Sequence, residues 1–129
     1  MRALLLVILG LAVGAMGATF ALSALRQATP FHSGVMAVMQ HHMSALRSNV
    51  RAKQCDAKGN AGHLARMRET AGDIREAFPE MEPAFFQAGD TLLKSLDGAV
   101  AAAPATCEAL VAALKPVGDA CQSCHQQFR

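Results

Sequence analysis

The 129-residue chain has no tryptophan and no tyrosine, and six phenylalanines make up its whole complement of Phe, Tyr and Trp. Charge is equally thin: 12 lysines and arginines against 10 aspartates and glutamates leave a formal +2. That balance is too small to argue for nucleic acid or an acidic partner, and basic clusters interleaved with aromatics are absent. No stretch alternates apolar and polar residues with a period of two, and no hairpin turn joins two apolar runs, so strands are not expected. Cysteine is scarce as well. The four present are Cys55, Cys107, Cys121 and Cys124.

What the chain does have, first, is a long apolar run. Ala3 to Leu25 is 23 residues without a charge, flanked by Arg2 and Arg26. That length crosses a bilayer as a helix, and it also suits an export signal whose cleavage site is weak. Small residues at Ala15 and Gly17, or at Ala21 and Ser23, permit cleavage, but no polar stretch precedes them. Residues 1–28 are therefore a signal peptide or a retained membrane anchor, and residues 29–129 form one exported domain. Export agrees with the cysteines, which persist as disulfides or thioethers in an oxidising, extracytoplasmic compartment. For a bacterial cell that compartment is the periplasm, with the domain either soluble after cleavage or held at the inner membrane.

The domain reads as four amphipathic helices. Thr29-Pro30 opens the first, with threonine as N-cap and proline at the first helical position. His32, Met36, Met39, Met43, Leu46 and Val50 then recur at steps of four and three, and the helix should end before Gly59-Asn60. A second stripe, Leu64, Met67, Ala71, Ile74 and Phe78, predicts a helix over 61–78 stopped by Pro79. Pro83 opens a third, with Phe85, Phe86, Leu92, Leu93, Leu96 and Val100 on its apolar face. Pro104 opens a fourth, whose stripe of Cys107, Leu110, Leu114, Val117, Cys121, Cys124 and Phe128 is interrupted by a kink at Pro116. Four such helices with short connections predict an all-α, antiparallel four-helix bundle.

The fourth helix carries the chemistry. Cys121-Gln122-Ser123-Cys124-His125 spaces two thiols by two residues and sets a histidine directly after the second. That is the spacing for c-type haem attachment, in which each thiol closes a thioether on a vinyl group and the imidazole reaches the iron. Cys-x-x-Cys also serves redox disulfides and zinc sites. A thioredoxin-like motif, however, belongs at a helix start after a strand, zinc lacks a nearby fourth ligand here, and neither chemistry demands the adjacent histidine.

Two consequences follow from an antiparallel bundle. Phe31, Phe78, Phe85, Phe86 and Phe128 all fall at the motif's end, where aromatic walls suit a flat apolar cofactor. Cys55 and Cys107 fall at the opposite end, close enough to form a disulfide. If they pair, antiparallel register sets position 37 level with His125. Met36 is its neighbour, with Met39, His32 and His41 within a turn.

Val117 to Arg129 resembles the haem segment of the class II cytochromes c, the cytochrome c′ and cytochrome c-556 group, in which an aromatic residue and an arginine follow the motif. Val35-Met36, followed by Met43-Ser44-Ala45-Leu46, resembles that family's first helix. The resemblance implies a four-helix bundle with one covalent haem c held by Cys121 and Cys124, His125 as proximal iron ligand, Phe128 against the haem, and Arg129 near the propionates. In c-556-like members a methionine at the place of Met36 is the sixth ligand and the protein carries electrons. In c′-like members that place does not coordinate, and the iron binds small gases such as NO or CO. Three departures stand out: the 85 residues from Met36 to Cys121 are few for the family, Pro116 interrupts the last helix, and the Cys55 and Cys107 pair lies outside its motif.

The leading expectation is a monohaem electron-transfer protein, non-enzymatic, with redox proteins as partners; the resemblance leaves open whether two copies pair, as class II cytochromes often do. Methionine at the sixth position suits it, since a soft sulfur donor favours ferrous iron. Met36, Met39 and Met43 equally suit plain core packing. A gas-binding haem protein is the alternative. A peroxidase would need distal acid-base groups, for which His32, His41 and His42 are the first helix's only histidines. His41 and His42 instead straddle the edge of a solvated face, and His63 sits near an exposed helix start.

Overall fold

The computed structural model describes residues 2–26 and 30–128, whose regular elements are all helices. Contacts divide the chain into two compact units, Met1–Phe31 and His32–Arg129. The first unit is built on α1 (Arg2–Arg26), 25 residues long. At 1.5 Å per residue it extends for about 37 Å, more than the roughly 30 Å of a bilayer's hydrocarbon core. Its Leu6–Ala24 stretch has a mean hydropathy of 2.1. Leu4, Ile8, Leu11 and Phe20 are all more than half exposed, so within its own unit this helix has no apolar side to pack and no polar side to show water. The Thr19 hydroxyl donates to the Met16 carbonyl at 2.9 Å and so carries no unmet polar demand into an apolar surrounding.

The second unit is held by α2 (Phe31–Ala52), α3 (Ala57–Gly72), the single turn α4 (Ile74–Ala77), α5 (Pro83–Ala101) and α6 (Cys107–Phe128). Pro30 precedes α2, and the expected Thr29 cap lies outside the described residues. Val35, Met39, Met43 and Leu46 are the buried positions of α2. The helix ends at Ala52 by a paired closure: the Lys53 N–H reaches the Val50 carbonyl at 3.1 Å and the Gln54 N–H the Asn49 carbonyl at 2.9 Å. Lys53 takes the left-handed conformation this requires, at φ 56°.

Gly59-Asn60 does not separate the helices, contrary to the sequence expectation. Asp56 caps α3, which starts at Ala57, by accepting the Gly59 N–H on Oδ1 at 2.7 Å. A Cβ at position 59 would lie 2.7 Å from Asp56 Oδ2, so glycine is what lets the carboxylate close on the helix end. Asn60 is fully buried, and its Nδ2 donates to the Pro104 carbonyl at 3.0 Å. The helix expected over 61–78 is two, parted at Gly72-Asp73, which are poor helix formers. Phe78 leaves the helical conformation before Pro79.

α5 begins at Pro83 as its sequence suggests and runs through Asp97-Gly98 to Ala101, burying Ala99 where Val100 was expected. α6 starts at Cys107, not Pro104: Ala103 is left-handed at φ 42°, Pro104 is buried ahead of the helix, and the Thr106 hydroxyl accepts the Ala109 N–H at 3.2 Å. Pro116 sits inside α6 without ending it. Both Pro116 and Ala112, whose carbonyl loses its donor, are on the exposed face, where water satisfies it.

One apolar cluster joins these helices, with Leu46, Leu64, Leu96, Leu110 and Val117 wholly buried. The backbones of α5 and α6 approach closely, as do those of α3 and α5. Arg68 pairs with Asp97 and Arg75 with Asp90, both at 2.8 Å. Exposed pairs of this kind contribute under about 1 kcal/mol each, so they set register more than stability. Cys55 and Cys107 lie at disulfide distance, with an S–S separation of 2.01 Å and a Cα–Cα separation of 5.2 Å.

Candidate functional site

Cys121, Cys124 and His125 stand at relative positions 0, 3 and 4 of α6, which an α-helix places on one side. All three line a cavity of about 260 Å³. Met36, Met39 and Met43 of α2 line it too, together with Met67 of α3, Ile74 of α4, and Phe85 and Leu92 of α5. The wall is therefore mostly apolar and polarizable, with Gln40, Arg47 and Gln122 as its polar members and the cysteine sulfurs and the imidazole of His125, itself largely exposed, as its reactive groups.

The core stripe loses its cover at this level. Val117 is fully buried, but Cys121, Cys124 and Phe128, farther along the same stripe, are only half-buried, as are Met36, Phe78 and Phe86. Phe85 is the hub of the aromatic group, with ring centroids 5.0 Å from Phe78, 5.7 Å from Phe86 and 5.4 Å from Phe128. Its contacts with Phe86 and Phe128 are edge-to-face, the arrangement ring quadrupoles favour. The Arg75 guanidinium sits 5.1 Å from the Phe86 ring centre. Phe31, expected in this group, belongs to the first unit and is 53% exposed.

Thiol electrostatics separate the chemistries the motif allows. Burial pushes the Cys121 thiol up; its neighbour Cys124 adds to this, while Arg47 opposes it. Burial also pushes up Cys124. Cys124 lies about one turn from the C-terminal end of α6, where the helix dipole disfavours an anion. Reactive dithiols need the reverse: a helix N-terminus or neighbouring cations that stabilise the thiolate. Zinc requires four ligands, and among the described residues no group of three or more histidine, cysteine or acidic side chains is arranged to hold a metal.

Two protonated thiols and an imidazole share one wall of an apolar cavity, with aromatic and thioether side chains around it. At about 260 Å³ the cavity is slightly below the roughly 300–1,000 Å³ usual for cofactor pockets.

Of the residues singled out from sequence, Met36 and Met39 share the cavity lining with the motif, whereas His32 and His41 are exposed and outside that lining. His32 instead lies against Phe78 at 5.4 Å with the rings tilted by 44°, and His41 lies edge-on to His42 at 5.1 Å. Arg129, expected near the propionates, lies outside the described residues. Sequence reasoning missed Arg47, Gln40, Met67, Gly89 and Gly118, all of which line the cavity. The glycines carried a signal: each costs about 1 kcal/mol against alanine in a helix interior, so a glycine there asks for a packing reason. A Cβ at Gly118 would meet the Arg47 guanidinium at 3.7 Å and one at Gly89 would meet Ile74 at 3.6 Å, both ordinary van der Waals contact, so close packing does not account for either glycine. Comparison with family models, curated proteins and solved structures finds no match to this chain.

Proposed function

We propose that this chain is a monohaem c-type cytochrome of the class II kind, acting in electron transfer outside the cytoplasmic membrane. The observation that carries the reading is that Cys121, Cys124 and His125 of one helix open onto the same apolar cavity as Met36, Met39 and Met43 of another. Cys121 and Cys124 would hold haem c as thioethers, and His125 its iron. When bound, the haem supplies a one-electron ferric/ferrous couple tuned by axial ligation and burial.

The protein's own contributions follow from its walls. Phe85, Met67 and Leu92 keep water from the interior of the cavity, which favours the less charged form of whatever it encloses. Met36 offers a neutral, soft sulfur from the side of α2, with Met39 and Met43 filling the same wall. Phe128 does not itself line the cavity but packs edge-on to Phe85, which does. Arg47 brings a positive charge to a site otherwise poor in charge, a partner for an acidic cofactor substituent alongside Arg129.

The arrangement proposed for α2, α3 with α4, α5 and α6 is an antiparallel four-helix bundle. It is supported by Arg68–Asp97 and Arg75–Asp90, which step by seven residues in opposite directions along the facing helices. The disulfide pair at one end and the Phe85–Phe128 contact at the other support the same course for α2, α5 and α6. α1, long and apolar enough to cross a membrane, supports export to the periplasm with or without retention at the membrane. Redox proteins are the proposed partners, homodimer formation is part of the reading, and no catalytic role is assigned.

The exported protein should be coloured and have an intact mass equal to the polypeptide plus one haem. A colourless product with the mass of the bare chain overturns the proposal. Met36→Ala should turn a low-spin spectrum into a high-spin one that shifts with carbon monoxide. If the wild type is already high-spin and shifts with carbon monoxide, the gas-binding reading replaces electron transfer.

A further inference from the structure

The formal charge of +2 hides an uneven distribution. Residues 30–68 hold six lysines and arginines against one carboxylate, Asp56, whereas residues 69–129 hold nine carboxylates against four cations. α2 carries no acidic residue, and its Arg47 and Arg51 are exposed, as is Lys53 just past its end. Among the described residues none of these three is ion-paired, whereas Arg68, Arg75 and Lys115 each pair at 2.8 Å. Positive charge is thus gathered on α2 and left uncompensated there. Arg47 and Arg51, about one turn apart, border a groove of about 490 Å³ between α2 and α6. Its lining is apolar as well as basic: Val50 is half-buried, Leu114 is buried and Val111 is 52% exposed. Lys115 and Asp119 line it too and neutralise each other. Arg47, Gly118 and Gln122 line both this groove and the cavity, so the two are continuous.

We propose that this groove is the docking surface for an acidic protein, one that presents carboxylates to Arg47 and Arg51 and an apolar side chain to Val50 and Val111. That this protein exchanges electrons with the group held at Cys121 and Cys124 rests on the cytochrome reading above; the docking itself does not. An apolar centre rimmed by arginine is the usual make-up of a protein interface, and the guanidinium fork matches a carboxylate through two parallel hydrogen bonds. A bilayer surface, flat on this scale, would meet the arginines and leave the valines wet, so the concave shape selects a protein over a layer of lipid headgroups. The uncompensated charge steers an acidic partner to α2, and the shared wall at Arg47 then seats it beside the cavity.

The test is a nuclear magnetic resonance titration of the isotope-labelled exported protein, coloured or colourless, with a plant-type iron–sulfur ferredoxin, a small and strongly acidic electron carrier. Amide signals should shift on the α2 and α6 sides of the groove, around Arg51 and Val111. Affinity should fall about tenfold or more between about 20 and about 200 mM salt, as the Debye length shrinks from about 20 Å to about 7 Å. Arg51 lines the groove but not the cavity, and Arg51→Glu should weaken binding by about tenfold, since an attraction becomes a repulsion of like size. Lys94→Glu, at an exposed position of α5, should bind as the wild type does. Circular dichroism establishes that each variant folds; if Arg51→Glu does not, the shift map and salt dependence of the wild type decide. No binding, shifts confined to other helices, or equal losses in Arg51→Glu and Lys94→Glu each overturn the proposal. Tighter binding of phosphatidylserine vesicles through the same residues would assign the face to a lipid surface, and self-association abolished by Arg51→Glu would assign it to a second copy; either overturns it. A colourless protein that binds through the groove keeps the docking and loses the cytochrome reading, and a coloured one that binds elsewhere does the reverse.

Discussion

Replacing Cys55 and Cys107 together with alanine tests how the helical unit is held away from Cys121, Cys124 and His125. The cross-link closes a segment of 52 residues. The chain-entropy relation for a loop of that length assigns it about 4 kcal/mol at 25 °C, acting on the unfolded chain. The folded state should change little. Both cysteines are only half-buried, and the Asn60 Nδ2 bond to the Pro104 carbonyl ties the same end together without the sulfurs. Urea unfolding at fixed pH, followed by circular dichroism, should show stability reduced by about 4 kcal/mol and an increased denaturant dependence, because the uncrosslinked chain exposes more surface. For a domain near 100 residues the melting temperature should fall by roughly 15 °C or more. A loss below about 1 kcal/mol with the native spectrum intact would refute this account. So would a loss of native helicity, which would mean that the cross-link shapes the fold and does not merely limit its alternatives.

Three further perturbations have defined outcomes. Ala103→Gly should stabilise by about 1 kcal/mol, because Ala103 bears a left-handed conformation that glycine adopts freely; an unchanged urea midpoint would count against that conformation. Leu110→Ala, at a wholly buried position on α6, should cost about 2–5 kcal/mol in the same assay, whereas Val111→Ala, 52% exposed, should cost little. Stability should rise with pH through the region just below about 6.5, because the folded state holds the His42 pKa below its unfolded value and the unfolded chain therefore binds more protons there. That contribution is lost as pH falls through the unfolded value toward the folded one. His42→Asn should reduce the slope in urea midpoints measured across this range, and an unchanged slope would assign the dependence to other groups.

The buried faces of the helices were legible because periodicity is a property of the chain alone. Leu64, Met67, Ala71 and Ile74, or Leu110, Leu114 and Val117, have only one direction in which to be covered, and each is buried. Helix ends were less legible because they depend on competition between neighbours. Gly59-Asn60 looks like a break, yet Asp56 caps the helix ahead of it, and Gly59 serves that cap by having no side chain. Pro104 looks like a first helical residue, yet Ala103 has already turned the backbone left-handed, and a threonine two residues on takes the cap. A proline or glycine states what the backbone can do there; which option is used depends on a partner that the local pattern does not display.

The candidate site divides along the same line. Spacing identifies Cys121, Cys124 and His125 as one chemical unit, since thiol, thiol and imidazole share a helix and need no tertiary knowledge to be grouped. It does not say whether those thiols are poised to ionise. That depends first on desolvation, which raises both Cys121 and Cys124; Arg47 opposes this at Cys121 without reversing it, and the nearby end of α6 disfavours the Cys124 anion. A thiol kept protonated at neutral pH is a poor attacking group in disulfide exchange but is retained unspent for covalent attachment by other machinery. The distinction is measurable before any cofactor is considered. In the uncoloured polypeptide made without export, the pair should react with an alkylating probe more slowly than a free thiol at pH 7 and approach it only as the pH rises well above the usual cysteine range. Rapid reaction at neutral pH would mean a stabilised thiolate, and the motif would then belong to redox exchange rather than to a haem.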